Sequence, residues 1–343
     1  MTRVLVLRDR QPGHFNQAEG LALAVARLAR TDVLRLEIRP AKWARDDLRK
    51  LIMRRWGKDA RLWLRLLYGV DLASVTRPDI IVASGRPTIA AGMLLSRHFG
   101  APLVVSGGID GYDETAIALN IVSSPRQAGD PGAAYAPIPS TVDADVYPPL
   151  RRLADIAALD GASLALLVGG SAYRREYPPE EWEALLAFVP AVAARYGVKW
   201  RVTTSRRTPD EVSDRFKALA ASGVVAEFVD YRTAGPGSVR ALFGADAVVV
   251  TEDSLSMLAE GLAAGRPVIG LKSRVVHKHY ANEIIAGMAG ASLAILPMRS
   301  VTPEQFAATL TRLVPPAEDA RDVLARALAP VLKLPVPDTR SPA

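Results

Sequence analysis

The sequence predicts an α/β protein built from two doubly wound parallel-sheet domains. Short apolar runs alternate with amphipathic segments along nearly the whole chain, so strands would be covered by helices on both faces. The alternation occurs twice, interrupted by a stretch rich in Pro, Gly and Ala over 123–150. At 343 residues, 49% hydrophobic and 23% charged, the chain exceeds one comfortable core and has ordinary globular composition. The expected division is an N-terminal domain over 1–150, a C-terminal domain over 151–333 and a loose tail over 334–343.

In the first domain "RVLVL" reads as a buried strand, followed by a helix from about Asn16 to Arg30. "VLRLEI" is a second strand, 42–68 a basic helical region, "PDIIVAS" a third strand, Thr88 to Phe99 a helix, and "PLVVS" closes the series. The second domain opens with the strand and turn "SLALLVGGS", then a helix from Pro179 to Tyr196 and the strand "KWRVTTS". A helix from Pro209 to Ser222, the strand "VVAEFVDY", and a short helix from Val239 to Phe243 follow. The strand "ADAVVVT", a helix from Ser254 to Ala264, the strand "RPVIGLK" and a late helix from Pro303 to Leu313 complete it. Sheets of this type bind ligands beyond the carboxyl ends of their strands, so two such domains facing one another would enclose a cleft.

Composition removes several chemistries. With no cysteine, the chain has no disulfide, zinc-thiolate site, iron-sulfur cluster or thiol nucleophile. The N-terminus is charged too early for a signal peptide, and no apolar run nears the ~18 residues of a spanning helix. A cytoplasmic protein is expected, with possible peripheral attachment to the inner face of a membrane. The net charge of +7 is concentrated: residues 42–68 hold nine Lys/Arg against three Asp, and three of the five tryptophans. Trp43, Arg54, Arg55, Trp56 and Trp63 suit a helix lying on an anionic membrane surface, where indoles favour the interface. An arginine-rich helix packing its Leu and Trp side on the core would read the same way. Nucleic acid is the weaker partner, since no binding motif accompanies the patch.

Four turns carry candidate chemistry. "QPGHFNQ" joins the first strand to its helix: Gly13 permits a tight turn, Asn16 and Gln17 can satisfy helix donors or reach a hydroxyl, and His14 adds an imidazole. In "LVGGSAY", Gly169 and Gly170 allow close backbone approach and Ser171 adds a hydroxyl beside an expected helix start that could receive phosphate; a plain tight turn would look alike. In "TTSRRTP", Ser205, Arg206, Arg207 and Thr208 follow a strand ending at the same edge, where the two arginines could neutralise a diphosphate; Thr208, Pro209 and Glu211 are also ordinary helix-start signals. "VVVTEDSLSMLAEGLAAGRPV" places Thr251, Glu252, Asp253, Ser254 and Ser256 after a strand and Glu260 within a small, apolar helix. A carboxylate there must pair, bind or face water, because burying it unpaired is costly. Set beside a phosphate cradle, it suits the two hydroxyls of a ribose.

"RDRQPGHFNQAEGLA", "LVGGSAY", "TSRRTP" and "VTEDSLSMLAEGLAAGRPV", in this order and spacing, resemble the mitochondrial-fission ELM-type family of glycosyltransferase-like proteins. The resemblance covers both domains and departs from the family pattern between Gly107 and Pro149. It implies a GT-B fold: two Rossmann-like domains with an interdomain cleft, the N-terminal one for the acceptor and the C-terminal one for a nucleotide-sugar donor, with no metal ion and no further cofactor. The motifs are also similar to those of MurG-like transferases acting on lipid acceptors. Carried over, Gly169, Gly170 and Ser171 would bind the diphosphate, with Ser205 and Arg206 assisting. Thr251, Glu252, Asp253, Ser254 and Ser256 would flank the donor and Glu260 hold its ribose. Gly13, Asn16 and Gln17 would lie on the acceptor side, with His14 as the base that takes the acceptor hydroxyl's proton.

Glu252 and Glu260 also have the spacing of the two glutamates in many retaining GT-B enzymes, so inversion and retention both stay open. His98 reads as a helix-end residue, while His277 and His279 read as a solvated loop or as lining of the donor cleft. Asp143 and Asp145 sit in the Pro-rich segment and are not taken as metal ligands. The expected function is transfer of a sugar from a nucleotide-sugar to a lipid-linked or cell-envelope glycan. The alternatives are a non-catalytic membrane-associated adaptor and a nucleotide-sugar epimerase. Base, sugar, acceptor and oligomeric state are not legible.

Overall fold

The computed structural model describes residues 1–172, 175–235, 237–277 and 279–335. The chain divides into two compact units, one formed by Met1–Thr141 with the chain from Ala320 onward, the other by Val142–Asp319.

In the first unit, β1 (Thr2–Arg8), α1 (Pro12–Ala26), β2 (Thr31–Glu37), α2 (Asp46–Arg55), α3 (Ala60–Tyr68), β3 (Ile80–Ser84), α4 (Arg86–Phe99) and β4 (Leu103–Ser106) follow the expected alternation. Two further strands, β5 (Leu119–Val122) and β6 (Ala133–Tyr135), extend the sheet. All six strands are parallel, in the order β2-β1-β3-β4-β5-β6. Val4–Leu7, Ile80–Ser84 and Leu103–Ser106 are buried throughout, which is why these strands read as unbroken apolar runs.

Three expectations are corrected here. The first helix starts at Pro12, not near Asn16, so Gly13, His14, Asn16 and Gln17 all lie in its first turns. Pro12 suits a first helical position, and the Asp9 carboxylate accepts the Gln11 N–H at 2.9 Å just before it. The series does not close at "PLVVS", since "LNIV" forms a fully buried fifth strand. The segment over 123–150 is more than a linker, because Ala133–Tyr135 pairs with β5 inside it.

The second unit contains β7 (Ser163–Leu167), β8 (Arg175–Glu176), α5 (Pro179–Tyr196), β9 (Lys199–Thr203), α6 (Asp210–Ala221), β10 (Val225–Val229) and α7 (Tyr231–Ala234). It continues with β11 (Ala247–Thr251), α8 (Leu255–Ala263), β12 (Val268–Lys272), β13 (Val275–Val276), α9 (Tyr280–Met288), β14 (Leu293–Pro297) and α10 (Pro303–Leu310). Six parallel strands run β10-β9-β7-β11-β12-β14, while β8 and β13 form a separate antiparallel pair. The two sheets wind alike without sharing one order: in each, the chain moves outward from its first strand on one side, by one strand in the first sheet and two in the second, and then returns to build the other side. Two sheets and their helices form the two-domain α/β, Rossmann-like fold expected of the sequence.

The last described helix, α11 (Ala320–Leu332), belongs to the first unit. Its Leu324 and Leu328 are buried in one cluster with Leu21 and Val25 of α1 and Val4 and Val6 of β1. The Arg321 guanidinium donates to the Thr141 carbonyl at 3.1 Å. The compact units therefore divide at 141/142, and the closing helix goes with the N-terminal sheet, whereas the sequence placed the boundary at 150/151 and that helix in the C-terminal domain. Most of the expected loose tail, 336–343, lies outside the described residues.

Candidate functional site

In the first unit the winding direction reverses between β1 and β3, and the candidate residues gather beyond the carboxyl ends of these strands. His14, in the first turn of α1, brings Nδ1 to 2.6 Å from Asp9 Oδ2. Asp9 is buried, and a carboxylate can only accept, so a neutral imidazole paired with it would carry its proton on Nδ1 and present Nε2 as the basic nitrogen. Asp9 is not among the residues the sequence singles out. Its signal was "RDRQPGH", a carboxylate five residues before the imidazole across a turn.

Gly85, at the start of α4, seats the His14 ring: a Cβ there would run into it, and its φ of +85° is one that side chains rarely adopt. Gln17 has a different role from the one expected. Its Oε1 accepts the hydroxyls of Ser84, at 3.0 Å, and Ser106, at 3.1 Å, tying α1 to the ends of β3 and β4. Gly13 and Asn16 are half-buried beside it.

In the second unit the reversal falls between β7 and β11. The two turns there are fastened to each other. The Thr251 hydroxyl accepts the Gly169 N–H at 2.6 Å and donates to Asp253 Oδ1 at 2.7 Å. The other oxygen of Asp253 pairs with Arg207, and the Gly169 position leaves room for this carboxylate. Gly170 lies against the Arg207 carbonyl. Thr208 Oγ1 reaches the carbonyls of Val168 and Gly169 at 2.8 and 2.7 Å, and it accepts the Ser205 N–H at 2.9 Å. Ser205 Oγ accepts the Arg207 N–H at 3.1 Å. The glycine pair thus gives space to protein groups on neighbouring turns.

The other carboxylate of the motif, Glu252, is buried and paired with Arg175 at 3.1 Å. Arg175 also donates to Asn282 Oδ1 at 2.7 Å. Burial pushes the Glu252 carboxyl up, with the Arg175 hydrogen bond opposing it. Nothing in the spacing foretold this pair, whose members lie 77 residues apart. Arg206 is exposed, as is Ser171, whose hydroxyl accepts the Tyr177 N–H at 3.0 Å. The expected helix start beside Ser171 is absent: α5 begins at Pro179, because β8 intervenes and pairs with β13.

The helix start at this edge is that of α8, capped by Ser254, whose Oγ accepts the Met257 N–H at 3.3 Å. Ser256 and Glu260 are half-buried on this helix. Glu260 keeps some solvent access, yet crowding by protein atoms pushes its carboxyl up to about 7, a rise opposed only by Arg240. His98 lies at the end of α4 with its ring edge-on to Phe99, and His279 caps α9. Among the described residues, no group of three or more His, Asp or Glu could hold a metal ion, and no helix is long and apolar enough to cross a membrane.

Three of the four motif-bearing turns, all but the one that carries His14, fall in residues 149–295, which match the family described as Mitochondrial fission ELM1. Over these residues the ELM-type resemblance holds. The family match spans most of the second unit, while the likeness to solved structures extends over the whole chain. A Staphylococcus aureus MnaA structure solved with UDP is 14% identical, with a TM-score of 0.53, covering 100% of this chain and 99% of that one. The Methanocaldococcus jannaschii UDP-GlcNAc 2-epimerase, in complex with UDP-GlcNAc and UDP, is 10% identical with a TM-score of 0.52, covering 97% and 99%. Acinetobacter baumannii MurG is 13% identical with a TM-score of 0.48, covering 98% and 96%. None of the curated proteins matches this chain. At these identities the first two likenesses, with TM-scores of 0.53 and 0.52, establish the fold alone.

Proposed function

We propose that this ELM-type protein is a glycosyltransferase that moves a sugar from a nucleotide-sugar to a lipid-linked or cell-envelope glycan. The observation that carries the reading is the 2.6 Å contact between Asp9 and His14 at the winding reversal of the first sheet. A buried carboxylate orienting an imidazole makes a general base. His14 Nε2 takes the acceptor hydroxyl's proton as its oxygen bonds to the anomeric carbon. The sugar–phosphate bond breaks, and its electron pair leaves on the nucleoside diphosphate.

The second unit supplies the donor groups. Ser171, Arg206 and the start of α8 are open to a diphosphate, whose growing charge arginine and helix N–H groups stabilise. Glu260, once ionised, accepts both ribose hydroxyls. Thr251, Glu252 and Asp253 hold the turns in shape from inside. With Glu252 engaged by Arg175, we favour direct displacement with inversion over a mechanism that sets a glutamate against the sugar.

Transfer is tested with a panel of UDP-, GDP- and CMP-sugars and membrane glycolipid extracts. His14→Ala should abolish transfer and leave nucleotide binding intact, and Asp9→Asn should slow transfer by about 10²-fold or more with little change in nucleotide affinity. Transfer that survives His14→Ala removes the base assignment. A panel without binding or turnover favours the adaptor, and an epimerised nucleotide-sugar formed without acceptor favours the epimerase.

A further inference from the structure

We propose that the outer face of α2 and α3 is a docking surface for an anionic lipid bilayer. The inner faces of these helices are settled: Ile52, Met53, Leu64 and Leu67 are core residues, and Trp63 packs against them with its indole N–H on the Trp56 carbonyl at 2.8 Å. The outer face, together with the turns before and after α2 that hold Trp43 and Trp56, carries apolar groups that this packing does not use. Trp43 and Trp56 are 52% and 54% exposed, and Leu51, Leu62 and Leu66 are exposed with them. These are five of the ten exposed large hydrophobic side chains among the described residues, gathered in 24 consecutive positions (43 to 66).

The charge around them is unbalanced. Arg49 and Lys50 both pair with Asp46, at 2.9 and 2.8 Å, which offsets one of their two charges. The other seven basic residues of 42–68 are exposed, against exposed Asp47 and Asp59. Exposed indoles and leucines among cations require a partner that offers an apolar layer directly beneath an anionic one. A bilayer with acidic headgroups supplies both; an acidic protein or a nucleic acid supplies the charge without a continuous apolar layer.

The face is also wired to the candidate acceptor side. Asp46 accepts the Tyr112 hydroxyl at 2.9 Å, and Arg54 donates to the Gly111 carbonyl at 3.1 Å. Gly111 and Tyr112 lie on the loop that leaves β4 directly after Ser106, whose hydroxyl binds Gln17. A docked α2 would therefore hold that loop, within the same unit, beside the surface from which a lipid-linked acceptor comes. This last step rests on the transferase reading, whereas docking itself does not.

The test is co-sedimentation of the full chain with phosphatidylcholine vesicles with and without phosphatidylglycerol, together with tryptophan fluorescence. Binding should need phosphatidylglycerol, weaken with added salt and shift the indole emission to the blue. Each cation removed, as in Arg55→Gln and Arg61→Gln, should weaken binding about fivefold. Trp43→Ala with Trp56→Ala should weaken it about tenfold and abolish the shift, with circular dichroism and melting unchanged because both side chains are exposed. No binding overturns the proposal. So does binding indifferent to the tryptophan pair, or equally tight binding of polyglutamate, which would assign the face to an acidic protein. Failure here leaves nucleotide-sugar binding and turnover untouched, and loss of turnover leaves vesicle binding untouched, so the two readings fail separately.

Discussion

Glu260 shows how one residue's surroundings set a measurable dependence on pH. Its carboxyl, raised by burial from 4.5 to about 7, holds its proton more tightly in the folded chain than in the unfolded one. The stability this gives is complete below pH 4.5 and is lost as pH rises through about 7. Under the proposed function, nucleotide binding should run the other way, because the ionised carboxylate is the better acceptor for ribose hydroxyls. Affinity for a nucleoside diphosphate should rise about tenfold between pH 6 and 8, following the ionised fraction, and become nearly flat in Glu260→Gln. Calorimetric titration across that range checks it; an unchanged slope in the variant would remove Glu260 from the binding step. The sequence singled out Glu260 because a carboxylate stood alone in an apolar helix. It could not single out Asp9, since an aspartate at a strand end has many ordinary roles and only its contact with His14 gives it this one.

At the scale of elements, the strand-to-helix turns are pieces cut to fit one another. The turn before α4 is the clearest instance, because Gly85 both adopts a left-handed φ and seats the His14 ring. Gly85→Ala should cost about 1–3 kcal/mol through backbone strain and reduce transfer further by displacing the imidazole. A melt of the variant and its turnover relative to wild type report the two effects. The strands β1–β4, β7 and β9–β12 and most helices were legible from apolar runs and caps, whereas β5, β6, β8, β13 and β14 were not. Helix starts were less so: α1 begins four residues earlier than its apolar periodicity suggested, since Pro12 and Asp9 set the start and periodicity is silent about polar first turns. "LVGGS" read as a phosphate turn leading into a helix. Its glycines are instead filled by Asp253 and the Arg207 carbonyl, partners contributed by other turns.

At the scale of the whole molecule, the closing helix decides what a foldable piece is. The face of α11 carrying Leu324 and Leu328 completes the cluster under α1, so ending the chain after Asp319 would expose Leu21 and Val25 to water. Such a truncation should destabilise the first unit by several kcal/mol, enough to unfold most domains of this size. The second unit should keep its protection. Hydrogen exchange measured unit by unit checks this, and a truncated chain with α1 still protected would show that α11 adds little.

The sequence by itself determined the class of fold, the two-fold repetition of the sheet, the concentration of cations and tryptophans in 42–68, and the motifs that mark the ELM-type resemblance. All of these are encoded locally, in periodicity, composition and short spacing. Only the tertiary structure decided that Asp9 orients His14, that Arg175 and Arg207 engage Glu252 and Asp253, that Trp63 packs inward while Trp43 and Trp56 face out, and that α11 belongs to the first sheet. Each of these depends on which groups the fold brings together, or turns toward solvent. Spacing along the chain does not carry that information.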